Sequence, residues 1–535
     1  MEHIERARTR MVKLTDYTSY ADALTYFSND ALWALFDGDS KRLNIAHECI
    51  DRHAADPDRV AVRIAHCNGR DTFLTFAAIS RLSARFAHYL ESRGVRRGDR
   101  VAVMLEPSLA FYASIFGCMK RGAVAVPMFT LFGPEGVRLR LDDCLPKLLV
   151  TSKDKTDELG TIGGIAIVLF DEKFFEQLAR FPDRYEWETS ANDMAAFQYT
   201  SGTTRTLPEA IRHTHRAIVL VGIAALYGTG VRPGDEFFCP SSPAWGHGLW
   251  HGTLAPLAFG VTTGVYAGRF DADRLMRALQ DYNITNLSAA ATHYRMMMHA
   301  GTADQYRFAI EKLSFTGEPI DGETLKFVDK TFHRPVRSMY GTTEVGVILV
   351  NYPGAADFPV KPGSLGKPVP GIEVEVQRAD GKPAAPNEIG EIKLKRRGDW
   401  YPTKDLGFVD DDGYFYHAGR ADDVIISAGW TMSAVEIENA LLAHPDIKEV
   451  AVIGVPDDVR GQVVKAFLVT PRARDAAFDR EVQDFVRNRL SQHEYPRQIA
   501  VVDELPKTPA GKVNRKVLRD RERESAAPAN HKSDT

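Results

Sequence analysis

The stretch RVAVMLEPSLAFYASIFGCMKRGAVAVPM, Arg100 to Met128, indicates the fold class of the chain. VAVML at 101–105 and AVAVPM at 123–128 are short apolar runs rich in valine, and each predicts a buried strand. Residues 109–120, between them, have the spacing of a helix. A strand–helix–strand unit joins parallel strands by a right-handed crossover. The rhythm recurs over 215–288, so we predict an α/β fold with parallel-rich sheets flanked by helices.

The pattern changes near Gly390. The pair Asp412-Gly413, between two apolar alternating runs, predicts a hairpin turn rather than a calcium loop. Ser433 can cap a helix that ends near His444, and EVAVIGV at 449–455 predicts a strand. We therefore predict a second, small α+β domain. The expected boundaries are 1–421 for the large N-terminal region, 422–520 for the small domain and 521–535 for a disordered polar tail.

Composition excludes several functional classes. The 535 residues carry Lys+Arg 67 against Asp+Glu 71, which gives no sign of a nucleic-acid binder. The five cysteines lack C-x-x-C spacing, which argues against a disulfide framework and a zinc site. The N-terminus has no apolar signal segment, and no apolar run approaches the ~20 residues of a membrane span. We expect a soluble cytoplasmic protein, monomeric or homodimeric.

Two motifs can contact a nucleotide. TSGTT, at Thr200, Ser201, Gly202, Thr203 and Thr204, offers hydroxyl groups and a glycine that permits an anion-binding turn. YGTTE, at Tyr340, Gly341, Thr342, Thr343 and Glu344, offers a ring for a base and a carboxylate for Mg²⁺. Each motif alone is also explained as an ordinary polar turn.

Three further residues have both a functional and an ordinary explanation. Asp405 in YPTKD can bind a ribose diol or cap a turn. Arg420 in GRADD can bind phosphate or form a surface ion pair. Lys512 in PAGK can reach a substrate or remain solvated on its loop.

Taken in their order along the chain, these motifs indicate a nucleotide site more strongly than any one of them does alone. TSGTT, SFTGEP at 314–319, YGTTE, the Asp405 and Arg420 pair, and PAGK follow one another as in the adenylate-forming acyl/aryl-CoA synthetase superfamily, which the chain resembles from about residue 43 to 519. PDDVRGQVVKAFLV, at 456–469, resembles the medium-chain branch. The resemblance implies that ATP and a carboxylate give acyl-AMP and pyrophosphate, after which a thiol takes the acyl group.

The resemblance also implies roles for single residues. Residues 200–204 would hold phosphates, and Gly317, Glu318 and Pro319 would line the adenine pocket. Tyr340 would stack on adenine, Thr343 would contact the α-phosphate and Glu344 would bind Mg²⁺. Lys512 would stabilise charge at the α-phosphate. Asp405 would bind ribose and Arg420 would brace the nucleotide.

Residues for the thiol and the acid follow from the same resemblance. Asp422 matches the hinge position, and Gly429 and Trp430 would approach the pantetheine of coenzyme A, with Arg460 as a candidate for its phosphates. Trp245, Gly246, His247 and Gly341 would line the acid site. His247 and His251 have the spacing of a metal pair, but packing against the substrate fits them better. Glycine at 341, where acetate-activating relatives carry tryptophan, predicts a medium-chain, alicyclic or aromatic acid.

The chain also departs from the family pattern. The loop reads TSGTTRTLPE, with Arg205 and Glu209 where glycine and lysine are usual. Arg205 is our candidate for the missing phosphate-binding cation. Lys404 replaces the glycine of YxTGD, and residues 391–400 lack a segment common in relatives. An enzyme that loads a carrier-protein thiol and a degenerate nucleotide-binding regulator are the alternatives to a CoA ligase.

Overall fold

The structure is a computed structural model that describes residues 13–160, 164–199, 210–317, 320–342, 345–420, 424–427, 430–457, 460–490, 495–507 and 513–526. The chain forms two compact units. The first comprises Met1–Thr200, Leu207–Glu318 and Phe327–Ile372, and the second comprises Ser201–Thr206, Pro319–Lys326 and Glu373–Thr535.

The first unit contains fifteen of the strands that the structure describes. They are β1 Val60–His66, β2 Asp71–Thr75, β3 Arg100–Met104, β4 Val124–Pro127, β5 Leu148–Thr151, β6 Ala166–Leu169, β7 Met194–Tyr199, β8 Ala210–Thr214, β9 Phe237–Cys239, β10 Thr263–Ala267, β11 Asn286–Ala290, β12 Lys312–Thr316, β13 Val336–Thr342, β14 Gly346–Val350 and β15 Ser364–Pro368.

These strands form two sheets. One has the order β6-β5-β3-β4-β7-β8, and all its neighbours are parallel except β7 and β8. The other has the order β15-β14-β13-β12-β11-β9-β10-β1-β2, with a parallel centre from β13 to β1 and antiparallel strands at both edges. The prediction of parallel-rich sheets is confirmed.

Helices separate most of these strands along the chain. They are α1 Tyr20–Tyr26, α2 Asn29–Trp33, α3 Ile45–Cys49, α4 Phe76–Ser92, α5 Leu109–Arg121, α6 Pro134–Cys144, α7 Lys153–Leu159, α8 Glu172–Leu178, α9 Ala217–Ile223, α10 Ala255–Ala258, α11 Ala272–Asp281, α12 Ala291–Ala300 and α13 Gly322–Phe332. Short 3₁₀ turns occur at Leu14–Asp16, Asp51–His53 and Ala303–Gln305, and π-helical segments at Ala224–Gly228 and His247–Leu254.

The predicted strand–helix–strand unit is β3, α5 and β4. Ser108 caps α5 by accepting a hydrogen bond from the backbone N–H of Phe111 at 3.2 Å. Gly122 ends the helix in the left-handed conformation, with φ +73°, which glycine adopts without steric cost. Local capping signals therefore fixed both ends of this helix.

Besides the first residues of α13, up to Lys326, the second unit contains the remaining described strands and helices. They are β16 Val374–Gln377, β17 Gly390–Arg396, β18 Asp399–Val409, β19 Phe415–Arg420, β20 Val424–Ser427, β21 Trp430–Ser433, β22 Glu449–Asp457, β23 Gly461–Val469, β24 Gln498–Val501, α14 Ala434–Leu442, α15 Ala476–Arg487 and α16 Arg515–Ala526. β16 to β19 form an antiparallel meander, and β22-β23-β24 form a three-stranded sheet.

Apolar side chains cover both faces of this three-stranded sheet. Val452 and Val464 belong to a cluster with α14 and α15, and Ile453 and Phe467 belong to a cluster with Leu518 of α16. Such a core is expected of a separately packed α+β module.

Several local predictions for this unit are confirmed. β18 and β19 form the hairpin around Asp412-Gly413, α14 begins directly after Ser433, and β22 contains the predicted strand 449–455. α16 continues past Asp520 to Ala526, into the segment where the sequence places the tail. The division at 421 and 422 stays a prediction.

Two further predictions concern the state of the cysteines and the presence of membrane-spanning helices. The five cysteines are free thiols, and only Cys67 is exposed. Among the helices that the structure describes, none has the length and apolar character to cross a membrane.

Candidate active site

The first candidate feature is the connection between β7 and β8. β7 ends at Tyr199 and β8 begins at Ala210, and residues 200–209 between them lie outside the described residues. Because β7 runs parallel to β4, the chain leaves β7 at the carboxyl edge of the parallel strands. Ligands of open α/β sheets bind at that edge. The position therefore fits the predicted phosphate loop.

Asp143 of α6 contacts both strands at this point. The hydroxyl of Tyr199 donates a hydrogen bond to Oδ2 of Asp143 at 2.7 Å, and the backbone N–H of Ala210 lies 3.4 Å from the same oxygen. Burial, reinforced by the hydrogen bond to Asp143, raises the pKa of Tyr199 above its ordinary value. Tyr199 therefore remains a hydroxyl donor.

Gln198 and Trp250 form a second contact at the same place. The indole N–H of Trp250 donates to Oε1 of Gln198 at 2.7 Å, and Nε2 of Gln198 lies 3.4 Å from the carbonyl oxygen of Ala244. The ring of His213 in β8 is 4.5 Å from that of Trp250. Gln198 and Trp250 are buried, so each polar group is satisfied inside the protein.

Trp245 and Gly246, predicted for the acid site, lie between Ala244 and the π-helical segment. Trp245 is half-buried and meets two other aromatic rings, with centroid distances of 5.0 Å to Phe129 and 6.1 Å to Phe132. We call Phe129, Phe132 and Trp245 the aromatic group. A Cβ atom on Gly246 would be in ordinary van der Waals contact with Oε1 of Gln198, at 3.7 Å, so Gly246 lies next to this buried amide.

His247 begins the π-helical segment His247–Leu254. Its Nδ1 is 3.1 Å from the hydroxyl of Ser241 and its Nε2 is 3.0 Å from the hydroxyl of Ser288. The ring of His251 is 5.9 Å away. No metal-binding group of three or more His, Cys, Asp or Glu residues occurs within the described ranges. Both ring nitrogens of His247 thus lie within hydrogen-bond distance of serine hydroxyls, and packing of His247 and His251 against the substrate stays a prediction.

Gly317 and the first half of YGTTE lie at strand ends. Gly317 follows β12 with φ +96°, and Glu318 and Pro319 lie outside the described residues. Tyr340, Gly341 and Thr342 end β13, which pairs with β14 through a bulge between Tyr340 and Gly341. Thr343 and Glu344 also lie outside the described residues.

Gly341 is packed more tightly than the sequence suggests. A Cβ atom there would stand 1.9 Å from the carbonyl oxygen of Gly346 and 2.8 Å from Cα of Val347 in β14. Glycine is therefore required at 341 by the close approach of two strands. The space predicted at this residue is occupied by backbone.

In the second unit, the two residues predicted to bind ribose and nucleotide are brought together. Asp405 of β18 is opposite Arg420 of β19 in the antiparallel register. Asp405 is only 6% exposed, and its backbone N–H donates to the hydroxyl of Thr403 at 3.2 Å. Its Oδ1 is 3.8 Å from Nε2 of His417. A buried carboxylate requires polar neighbours of this kind.

Lys404 has a left-handed backbone, with φ +65°. Most side chains disfavour this conformation because Cβ approaches the carbonyl oxygen, and glycine does not. The glycine expected in YxTGD therefore has a conformational reason, and this chain adopts the same conformation with lysine.

Two further predicted residues, Arg460 and Trp430, lie in the second unit. Arg460 follows β22, and its backbone N–H donates to Oδ1 of Asp457 at 2.9 Å. Trp430 begins β21, opposite Ser427. The predicted residues outside the described part of the chain are Thr200, Ser201, Gly202, Thr203, Thr204, Arg205, Glu318, Pro319, Thr343, Glu344, Asp422, Gly429 and Lys512.

A parallel-rich unit with a hydroxyl-rich connection at its carboxyl edge, followed by a separate α+β module, defines the class of adenylate-forming ligases. The chain belongs to the AMP-binding enzyme family, whose model matches residues 50–398, and the model of the AMP-binding enzyme C-terminal domain matches residues 436–512. It is accordingly an ATP-dependent acyl-CoA ligase, and enzymes of this class use ATP, Mg²⁺ and CoA.

Individual relatives agree with this assignment. An acetyl-coenzyme A synthetase of Bacillus subtilis is 30% identical over 89% of this chain and 90% of its own length. The mitochondrial acyl-coenzyme A synthetase ACSM3 of Rattus norvegicus is 30% identical over 85% of each chain. The crystal structure of the anthranilate CoA ligase AuaEII in complex with anthranoyl-AMP has a TM-score of 0.81, with 25% identity over 94% of this chain and 100% of that one.

Reasoning from the sequence did not identify Asp143, Gln198, Trp250 or Phe129. One signal was available for Gln198, since it is a polar residue within the otherwise apolar stretch AAFQY, directly before the loop. A buried amide in a strand requires polar partners. The partners themselves are distant in sequence.

Proposed function

We propose that this ligase activates an acid larger than acetate, of the medium-chain, alicyclic or aromatic class, and transfers it to free CoA in the cytoplasm. Overall similarity does not select the acid, because an acetyl-coenzyme A synthetase and an ACSM3 protein are equally similar, at 30% identity. The proposal therefore depends on the residues around the acid site.

The aromatic group is the observation that carries the proposal. Phe129, Phe132 and Trp245 are partly exposed rings with centroids 5 to 6 Å apart, and Gly246 follows Trp245 in the chain. Burying an apolar acyl chain or ring against such a surface contributes about 25 cal/mol per Å². Acetate has too little apolar surface to gain from it.

The roles proposed for the nucleotide follow from the family motifs, and most of the residues concerned lie outside the described ranges. In the proposed first step the carboxylate attacks the α-phosphate of ATP, and pyrophosphate leaves. Residues 200–205 would hold the β- and γ-phosphates, Tyr340 would stack on adenine, and Asp405 and Arg420 would hold ribose and phosphate. Glu344 would hold Mg²⁺, which when bound neutralises phosphate charge. Lys512 and Thr343 would contact the reacting phosphate.

In the proposed second step the thiol of CoA attacks the acyl carbon, and AMP leaves. Gly429 and Trp430 would border the pantetheine and Arg460 would bind its phosphates, after a rotation of the small domain about Asp422. Loading of a carrier-protein thiol is the alternative, because the same residues can serve either thiol.

The experiment is a panel of acetate, octanoate, cyclohexanecarboxylate and benzoate, assayed for pyrophosphate release and then for CoA-dependent AMP release. We expect octanoate, cyclohexanecarboxylate or benzoate to exceed acetate in kcat/KM by at least about tenfold, since each added methylene contributes ~0.8 kcal/mol. Preference for acetate would reject the proposed acid class. Pyrophosphate release without CoA turnover would favour a carrier-protein thiol.

A further inference from the structure

We propose that Gln198 and Trp250 are positioning residues that couple the acid site to the ATP loop, so that acid and ATP increase each other's affinity. The inference rests on the proposed function in assigning the acid to the segment around Trp245 and the phosphates to residues 200–209. It concerns the link between these two sites.

The link begins with the two hydrogen bonds of one carboxamide. Gln198, 1% exposed, holds the indole N–H of Trp250 through Oε1 and faces the carbonyl of Ala244 through Nε2. Ala244 and Trp250 lie on either side of Trp245, Gly246 and His247 in the sequence. A single side chain thus holds both ends of the segment assigned to the acid.

The same carboxamide lies two residues before the loop. Gln198 is the penultimate residue of β7, which ends at Tyr199. Trp250 also contacts β8, because its ring centroid is 4.5 Å from that of His213. Burial lowers the pKa of His213 to about 4, so this ring is neutral at physiological pH. Trp250 therefore touches both strands that flank residues 200–209.

The helix that contains Trp250 begins with a π-helical segment. Trp250 lies within the π-helical segment His247–Leu254. The first residue of this segment, His247, contacts the hydroxyl groups of Ser241 and Ser288. π-helical turns interrupt regular packing and occur frequently at functional sites. A ligand that shifts the segment at Trp245 therefore moves the partners of Gln198, and coupling of this kind is reciprocal.

The test uses α,β-methylene-ATP, in which a bridging carbon prevents pyrophosphate release. Its dissociation constant is measured by calorimetry, with Mg²⁺, in the absence and the presence of the best acid from the panel. For the wild-type enzyme we expect the acid to tighten nucleotide binding by about 2- to 10-fold, the range of one net hydrogen bond. The nucleotide should tighten binding of the acid by the same factor.

Two variants remove the link without removing a ligand contact. Gln198→Met retains the length of the side chain and loses both hydrogen bonds, and Trp250→Phe loses the N–H donor. Each should bring the factor close to 1, and the double variant should do no more than Gln198→Met alone, because the bond that Trp250→Phe removes is already lost in Gln198→Met. Trp187→Phe is the control, since the ring of Trp187 contacts Arg42 and His47 instead.

Two results would overturn the inference. One is a wild-type enzyme whose nucleotide affinity does not change when the acid is added. The other is a variant that keeps the wild-type ratio of nucleotide dissociation constants, without and with the acid, while its melting temperature or kcat falls. The latter result would show a structural role only. Failure of the proposed acid class is distinguishable, because the same factor can be measured with any acid that supports pyrophosphate release.

Discussion

The hydroxyl of Tyr199 donates a hydrogen bond to Oδ2 of Asp143 at 2.7 Å, and thereby fastens the last residue of β7 to α6. The backbone N–H of Ala210, at the start of β8, approaches the same oxygen. One carboxylate oxygen on α6 thus contacts both strands where Tyr199 pairs with Ala210, at the two ends of the proposed phosphate loop.

Replacing this carboxylate should weaken ATP binding. In Asp143→Ala, the hydroxyl of Tyr199 keeps only the carbonyl oxygen of Arg140, at 2.9 Å, as an acceptor, and the two strands lose a common partner. We therefore expect KM for ATP to rise about 3- to 10-fold, from a loss of ~1 kcal/mol. The assay is pyrophosphate exchange at saturating acid. Asp142→Ala, at the adjacent exposed position, serves as the control. An unchanged KM in Asp143→Ala would show that the anchor does not act on the loop.

Trp245 should determine which acids are used. Truncation in Trp245→Ala removes the central ring of the aromatic group, and we expect kcat/KM for the preferred larger acid to fall about 10- to 100-fold, from ~1.5–3 kcal/mol of lost burial. Acetate should change little. Leu220→Ala, which alters an exposed leucine of α9, provides a comparison. Equal losses for acetate and the larger acid would place the acyl chain elsewhere.

Lys404→Gly should stabilise the protein. Lysine at φ +65° carries about 1–2 kcal/mol of backbone strain, and glycine removes it at an entropic cost of ~0.5–1 kcal/mol. A gain of roughly 0.5 kcal/mol in the free energy of unfolding should follow, measurable by chemical denaturation. Lys404→Ala retains Cβ and should show no gain. Equal behaviour of the two variants would contradict strain at this residue.

His215 should make stability depend on pH. It is fully buried, and burial lowers its pKa from 6.5 to about 3, with Asp193 opposing and Arg97 reinforcing the shift. Since the folded state binds the proton less readily than the unfolded chain, its contribution is complete above pH 6.5. It is lost as the pH falls from there towards 3, at ~1.4 kcal/mol per unit.

The variant His215→Leu tests this dependence. Its unfolding free energy should fall less between pH 6.5 and 4.5 than that of the wild type. At pH 7 it should be less stable by about 1–3 kcal/mol, because the backbone N–H of Ile45 donates to Nδ1 of His215 at 3.0 Å and would lose its acceptor. His299→Leu, at an exposed position, is the matched control. Parallel pH curves for wild type and His215→Leu would exclude His215 as the titrating group.

Lys512→Ala should separate the two half-reactions. Loss of a cation that stabilises the developing charge at the α-phosphate is expected to slow acyl-AMP formation by ~10² to 10³. Thioester formation from supplied acyl-AMP should be affected by less than about tenfold, because the lysine is withdrawn in that step in the proposed rotation. Single-turnover measurements of each step decide between these outcomes. A similar loss in both steps would argue for a general structural effect.

Much of the fold was predictable because its signals are local. β3, α5 and β4, the hairpin at Asp412-Gly413 and the start of α14 each follow from periodicity, capping or turn residues within a few positions. The order of five motifs added the family, since ordered agreement over the chain does not depend on any single motif.

The parts that could not be predicted depend on distant partners or on backbone conformation. Gln198 meets Ala244 and Trp250, which are 46 and 52 residues away, and no local pattern encodes that contact. Gly341 seemed to offer space, whereas the nearby carbonyl of Gly346 occupies it. From the sequence, Lys404 was only a departure from the YxTGD motif. Its positive φ in the structure explains why glycine is usual at this position.

The hairpin between β17 and β18 has a practical consequence. Only Arg397 and Gly398 connect the two strands, both with positive φ, and Arg396 still pairs with Asp399. Two-residue turns of this geometry match the twist of the strands, and the register is fixed without further chain. Because the tip is exposed, chain length can change here without altering the strands. The longer segments of relatives, or a reporter peptide, can therefore be inserted at this turn.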